Sequence, residues 1–166
     1  LFHSNGDKNM VKQTSFKTRV KEIAITESKK YKEVFVDINI SFVLKILEKD
    51  YYIFAAEKDN FLHLNGINTN LSAASFFDKC YNGTLIEDDF DFHKKGKDEN
   101  SIKGSVRRKI KSLKRVSTLF QEDILIEEDF KKNKIVCDIT TTDRKITLGS
   151  FDGPVSRPKT LLKGNE

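Results

Sequence analysis

The sequence predicts a single α+β domain in which helices come first and lie on one side of an antiparallel β-sheet. Its 166 residues are the usual length of one domain. Hydrophobic residues make up 37% of the chain and charged residues 33%, which is the composition of a folded protein. Helical periodicity dominates residues 11–47 and 70–120, whereas residues 124–162 form short β-like runs separated by turns.

The first part of the chain is predicted to be helical. Within residues 11–27 the apolar positions fall on one face, which predicts a short amphipathic helix. In residues 31–47 apolar side chains recur at three- and four-residue steps, which favours a well-buried helix. The many β-branched residues of this segment leave a pair of strands as the alternative. Residues 1–50 are therefore predicted to be an N-terminal helical region.

Two short strands and a helix are predicted next. Residues 51–56 and 60–64 have the composition of strands and are joined by a short charged segment. A helix with one broad apolar face follows, from Asn70 as the predicted N-cap to the turn at Asn82 and Gly83.

The rest of the chain alternates between a basic helix and hairpin-linked strands. Residues 85–99 are acidic and then rich in glycine and lysine, which predicts an exposed connection. Residues 101–120 form a helix whose apolar side chains lie within a sector of about 120°, with basic side chains opposite. Strands are predicted at residues 124–126, 135–141, 145–151 and 160–162.

Charge is concentrated on the predicted basic helix and on the segment before it. The whole chain has a formal net charge of +5 and a pI near 9.1. Residues 94–115 alone contain ten basic and two acidic residues, a net charge of +8. This segregation favours an anionic partner such as nucleic acid, although a solvated helix face is an equally ordinary explanation. The candidate nucleic-acid contacts are Arg107, Arg108, Lys111, Lys114 and Arg115.

His63 is the one attractive general base. The chain has 3 histidines, and only His63 falls inside a predicted element. Alternation along the predicted strand would place Phe61, His63 and Asn65 on one face. The alternative is a structural histidine bonded to a backbone carbonyl. Phosphate-binding glycine loops, dinucleotide fingerprints, paired helical histidines and nucleophile elbows are absent from the sequence, so most large enzyme classes are unsupported.

Cysteine usage and hydropathy bear on the compartment. Cys80 and Cys137 lie far apart, which suits two reduced, buried thiols in a cytoplasmic protein. The first residues lack the order of a signal peptide, and no apolar run is long enough to span a bilayer. The acidic cluster at residues 87–91 has no regular ligand spacing, so no metal site is predicted.

Four segments, in order, resemble one family. They are FLHLNGI at residues 61–67, AASFFDKC at 73–80, TLG at 147–149 and PKTLLKGN at 158–165. Together they resemble the phage and mobile-element nucleases of the barnase/EndoU/colicin/RelE-like superfamily. This resemblance implies helices packed on a small curved antiparallel β-sheet, with residues 51–166 as one compact nuclease domain.

The resemblance also implies a function and a site. It implies a metal-independent, toxin-like endoribonuclease without cofactors, in which the ribose 2′-OH attacks the adjacent phosphorus. His63 matches the histidine of the family motif and would be the base or the acid. Lys103, Lys159 and Thr160 would hold or polarise the phosphate. Because His63 is the sole histidine in a predicted element, Lys or Arg would have to be its catalytic partner.

Two other hypotheses stay open. The same fold could be a non-catalytic module that binds nucleic acid or a protein through the basic helix. The acidic stretches at residues 87–91 and 122–129 could meet a basic partner, such as a protein that neutralises a nuclease. Neither the RNA target nor the oligomeric state is predicted.

Overall fold

The fold was analysed in a computed structural model, which describes residues 13–43, 51–121, 124–132, 134–151 and 153–163. The elements are α1 (Phe16–Phe35), β1 (Asn39–Val43), β2 (Tyr51–Ala55), α2 (Phe61–Asn65), α3 (Ala73–Tyr81), α4 (Glu99–Val116), β3 (Leu125–Lys132), β4 (Ile135–Thr142), β5 (Ile146–Phe151) and β6 (Arg157–Lys163). The predicted α+β class with antiparallel sheets is confirmed.

Helix α1 is longer than predicted, and the predicted helix over residues 31–47 is wrong. Ser15 caps α1 by accepting a hydrogen bond from the Thr18 N–H at 3.0 Å. The buried face of α1 runs on through Tyr31 to Phe35. The chain then turns through Asp37, which has a φ of 66°, and forms β1. Strand β1 pairs antiparallel with β2, so this part of the segment is a strand, but its partner comes from residues 51–55 and not from within residues 31–47. Residues 44–47 lie outside the described residues.

The predicted strand over residues 60–64 is also wrong, because this segment is helix α2. Its buried residues are Phe61, Leu64 and Asn65, and the steps of three and four residues between them are those of a helical face. The Asn65 side-chain amide donates to the Phe61 carbonyl at 2.8 Å. Gly66 ends the helix with a φ of 74°, a conformation that glycine adopts without strain. His63 therefore lies on the exposed side of α2, apart from Phe61 and Asn65.

Helices α3 and α4 agree with their predictions apart from their ends. The cap of α3 is Ser72 instead of Asn70, because Ser72 accepts a hydrogen bond from the Ser75 N–H at 3.1 Å. The cap of α4 is Asp98, three residues earlier than the predicted start. Helix α4 ends at Val116, and a short 3₁₀ turn over Leu119–Gln121 follows it. Its predicted apolar face is buried: Ile102, Val106, Ile110, Leu113 and Val116.

The C-terminal strands form a four-stranded antiparallel sheet in the order β3-β4-β5-β6. Strands β3 and β6 are longer than predicted, while β4 and β5 match closely. Next to β6, Ser156 exchanges backbone hydrogen bonds with β2, donating to the Ile53 carbonyl at 2.7 Å and accepting from the Ala55 N–H at 3.1 Å. These bonds join the small sheet of β1 and β2 to the larger sheet.

One hydrophobic core connects the helices to the sheet. Buried residues of α1 through α4 form a single cluster with Ile146, Leu148 and Leu161 of the sheet. Phe90 and Phe92, in the connection predicted to be exposed, also pack into this core and are 3% and 5% exposed. None of the helices in the described ranges is long and apolar enough to cross a membrane.

Both cysteines are free and buried, as predicted. Burial, together with the charge of Asp89, raises the pKa of the Cys80 thiol to about 12. The thiol therefore stays protonated at neutral pH and packs as part of the core.

Candidate nucleic-acid interface

Helix α4 packs against β5 and β6, and its basic side is directed away from its buried apolar face. A cavity of about 510 Å³ opens between the C-terminal half of α4 and the facing ends of the two strands. Its lining consists of basic residues, one serine and one isoleucine: Arg107, Arg108, Lys111, Ser112, Arg115, Lys145, Ile146 and Lys163.

A second cavity, of about 470 Å³, lies beside the first. It is bounded by α4, by the connection before α4, and by β3, β4 and β6, with this lining: Lys94, Ser105, Arg108, Lys109, Lys132, Ile135, Thr160, Leu161, Leu162 and Lys163. Arg108 and Lys163 belong to both linings, so the two cavities adjoin each other at these two side chains. We refer to the two cavities together as the basic cleft.

Every charged residue that lines the basic cleft is a cation. The nine are Lys94, Arg107, Arg108, Lys109, Lys111, Arg115, Lys132, Lys145 and Lys163. They come from five separate segments of the chain, so the fold concentrates positive charge beyond what α4 alone provides. A concave surface lined by one sign of charge focuses its electric field, which attracts a polyanion and binds phosphate groups.

Hydrogen-bond donors accompany these charges. The side-chain Nε of Arg115 is buried and has no hydrogen-bond partner within the described part of the protein. Thr160 of β6 and Ser105 of α4, each of which carries a hydroxyl group, line the second cavity. Guanidinium and hydroxyl donors of this kind match the oxygen atoms of a phosphodiester.

Lys109 is a functional candidate that the sequence did not single out. Its side chain crosses α2 at Gly66 and donates from Nζ to the His63 carbonyl oxygen at 3.0 Å. Burial lowers the pKa of Lys109 to about 8, and the nearby charge of Lys94 contributes to the same shift. The one sequence feature that indicates such a role is its position between Val106 and Ile110, at the border of the buried face of α4.

The four predicted catalytic residues are not assembled at one point. Thr160 lines the basic cleft. His63 is exposed and does not line either cavity, but its main chain is bonded to Lys109, which does. Lys103 forms an ion pair with Glu99 at 2.7 Å, on the first turns of α4.

Lys159 also lies apart from the cleft lining. It donates to the Val136 carbonyl at 2.7 Å, and its ammonium is 4.3 Å from the centre of the Phe151 ring. The fold thus brings Thr160 together with Arg108 and Lys109, and places Lys103 and Lys159 elsewhere. The roles of His63, Lys103, Lys159 and Thr160 stay predictions.

Four of the five predicted nucleic-acid contacts share the cleft. Arg107, Arg108, Lys111 and Arg115 line the first cavity. Lys114 lies on another side of α4, in a groove against α1 that also contains Glu22 and Glu27. Its surroundings therefore carry both signs of charge.

The acidic cluster at residues 87–91, which precedes α4, forms hydrogen bonds within the fold. Hydrogen bonds from the Ile86 N–H and from Lys79, the latter at 2.8 Å, lower the pKa of Asp89. Hydrogen bonds from the His93 N–H and the Asn68 amide likewise lower the pKa of Asp91. Among the described residues no group of His, Cys, Asp and Glu side chains could hold a metal ion. A neutralising protein that binds this acidic cluster stays a prediction. Part of the second acidic stretch, residues 122–129, lies outside the described residues.

Comparison with known proteins gives one match. A family model described as phage-Barnase-EndoU-ColicinE5/D-RelE like nuclease4 matches residues 19–152. The matched segment runs from α1 to the end of β5, and therefore contains α4 and most of the basic cleft. Searches of curated proteins and of solved structures returned no match.

Proposed function

Because the chain belongs to the phage-Barnase-EndoU-ColicinE5/D-RelE-like nuclease 4 family, we propose that it is a metal-independent endoribonuclease that binds the RNA backbone in the basic cleft. The observation that carries the proposal is the shared lining of the two cavities. Arg108 of α4 and Lys163 of β6 line both cavities, so a phosphodiester bound in either one would have both cations in its surroundings. The family description supports a nuclease and an association with phage; RNA as the substrate and toxin-like action in the cytoplasm belong to our proposal.

The chemistry requires three kinds of group. A base removes the proton of the ribose 2′-OH, whose oxygen attacks phosphorus; an acid protonates the leaving 5′-oxygen. Cations and hydroxyl donors stabilise the charge that builds up on the phosphoryl oxygens. In the basic cleft Arg108, Lys163 and Thr160 supply the third kind, and these residues act on phosphate without a metal ion. His63 is the proposed base, since it matches the histidine of the motif by which the sequence resembles the family, is exposed, and accepts a hydrogen bond from Lys109 of the cleft at its carbonyl oxygen.

Incubation of the purified protein in EDTA with labelled total RNA and single-stranded DNA tests the proposal. We expect RNA to be cleaved and DNA to stay intact, because DNA lacks the attacking 2′-OH. If folded protein cleaves neither substrate, with or without Mg²⁺, the proposal is wrong.

Replacing His63 by Ala is expected to lower the rate of RNA cleavage by about a hundredfold, the usual contribution of a general base. RNA affinity should be unchanged, because His63 does not line the cleft. Fluorescence anisotropy with an uncleavable 2′-deoxy analogue measures the affinity, and single-turnover cleavage measures the rate. Replacement of His93 by Ala is the matched control, since His93 lies in the exposed connection before α4. Equal cleavage by the two variants would exclude His63 as the base.

A non-catalytic nucleic-acid-binding module is the second candidate. It is favoured by the separation of His63, Lys103 and Lys159 from the lining of the cleft. Under this alternative the protein binds RNA with a steep salt dependence and produces no cleavage at any pH.

A further inference from the structure

Lys109 differs from the other cations of the basic cleft in how it is held. Arg107, Arg108 and Lys111 are exposed, whereas Lys109 is only partly accessible. The aliphatic part of its side chain passes so close to Gly66 that a Cβ atom there would lie 2.6 Å from Lys109 Cδ. The positive φ of 74° at Gly66 disfavours a side chain independently. The turn after α2 therefore leaves room for the Lys109 side chain to pack closely against Gly66.

We propose that the Lys109 ammonium protonates the leaving 5′-oxygen during RNA cleavage, an inference that rests on the function proposed above. Lys109 lines the same cavity as Arg108, Thr160 and Lys163. A phosphodiester held by these three residues would lie in the cavity that Lys109 also lines. The hydrogen bond to the His63 carbonyl uses one of the three ammonium protons, which leaves two for the substrate.

Fixed position is what a proton donor requires. Buried side chains lose less freedom when they react, and a mobile exposed lysine must be ordered first. The Lys109 side chain is restrained at two points, by Gly66 along its stem and by the His63 carbonyl at its tip. The same hydrogen bond attaches Lys109 to the residue that carries the proposed base. The proposed acid therefore contacts the main chain of the residue that carries the proposed base.

The electrostatic surroundings favour release of a proton. The titratable and charged residues around Lys109 are Lys94 of the connection before α4, Arg108 of α4, Lys132 of β3, Lys163 of β6 and His63 of α2. Burial and the charge of Lys94 lower the pKa of Lys109 to about 8. A bound phosphate opposes this shift, so in the complex the ammonium stays protonated at neutral pH.

Cleavage exchanges one bond between phosphorus and oxygen for another. The 2′-oxygen forms a bond to phosphorus as its proton passes to the base, and the bond between phosphorus and the 5′-oxygen breaks. A proton moves from Lys109 Nζ to the 5′-oxygen, which leaves a neutral amine, a 2′,3′-cyclic phosphate and a 5′-hydroxyl. Solvent then takes the proton from the base and returns one to the amine, so no oxidant, reductant or cofactor takes part.

A substrate with sulfur in place of the bridging 5′-oxygen tests this role directly, because a thiolate leaves without being protonated. We expect Lys109→Met to lower cleavage of the oxygen substrate by about a hundredfold and cleavage of the sulfur substrate by about threefold or less. Lys109→Arg keeps the positive charge but does not release its proton at these pH values, so it should give the same pattern. Lys29→Met, on the exposed side of α1, is the matched control and should cleave both substrates normally.

A measurement on the unaltered protein keeps the inference testable if the variants do not fold. The kcat/KM for the oxygen substrate should fall as the pH rises through about 8, while the sulfur substrate should show no such fall. Equal losses on both substrates in folded Lys109→Met, or the same alkaline fall for both substrates, would overturn the role of Lys109. Cleavage of neither substrate by the unaltered protein would instead overturn the proposed ribonuclease itself.

Discussion

The double variant Arg108→Ala/Lys163→Ala is expected to cleave RNA about 10³-fold more slowly than the unaltered protein. Removal of one donor to a developing oxyanion costs about 10² to 10³ in rate, and the effects of neighbouring donors are not fully additive. Arg108 and Lys163 are the two charged residues that line both cavities, so their loss acts on the middle of the proposed binding path. Single-turnover cleavage of a labelled RNA measures the effect.

RNA affinity should fall in the same variant and become less dependent on salt. Each phosphate contact that is lost makes the negative slope of log binding constant against log salt concentration shallower by about 0.7 for a single strand. The matched control is Arg19→Ala/Lys29→Ala, which removes one Arg and one Lys from exposed positions on α1. If both double variants lose the same affinity, net charge explains binding and the basic cleft has no special part in it.

Phe61→Ala is expected to destabilise the protein by about 3–5 kcal/mol, the range for truncation of a buried aromatic side chain. Phe61 is 0% exposed and contacts the rings of Tyr31, Phe76 and Phe77, with centroids 5.1, 6.3 and 5.5 Å away. Its ring therefore joins α2 to both α1 and α3. A domain of this size is stable by about 5–15 kcal/mol, so the variant should lose a large part of its stability.

Urea denaturation followed by circular dichroism measures this loss. Phe151→Ala is the control, because Phe151 is 51% exposed and its truncation should cost about 1 kcal/mol or less. Equal midpoints for the two variants would mean that α2 does not pack against α1 and α3 as described. The position of Gly66, and with it the contact between Gly66 and the Lys109 side chain, depends on that packing.

Helix α4 and the strands β4 and β5 could be predicted from the sequence because each has a strong, unbroken pattern. In α4 five apolar residues keep helical spacing, and basic residues fill the opposite side. Strands β4 and β5 are rich in β-branched residues and are joined by the polar turn at Asp143. In these segments the local pattern and the tertiary packing favour the same structure.

Helix α2 and strand β1 could not be predicted because their local patterns are ambiguous. The five residues of α2 fit both an alternating strand and a single helical turn. Packing decides in favour of the helix, since it buries Phe61 and Leu64 together among the aromatic rings of α1 and α3. For β1 the β-branched residues and pairing with β2 outweigh the helical periodicity that continues from α1.

The candidate site shows the same division between local and tertiary information. Arg107, Arg108, Lys111 and Arg115 could be predicted because they lie opposite the apolar face of one helix. Lys132, Lys145 and Lys163 join them only after the chain folds, and no local charge pattern marks them. Lys109 could not be identified either, because its environment depends on Gly66, which is 43 residues away in sequence.

Analysis of the cleavage products tests the central claim most directly. A defined RNA oligonucleotide is incubated with the protein in EDTA beside the same oligonucleotide with one 2′-deoxy substitution at the cleaved position. We predict a 2′,3′-cyclic phosphate on one product, a 5′-hydroxyl on the other, and no cleavage at the substituted position. Cleavage that persists at the 2′-deoxy position, or products with a 5′-phosphate, would contradict attack by the 2′-OH and with it the ribonuclease mechanism.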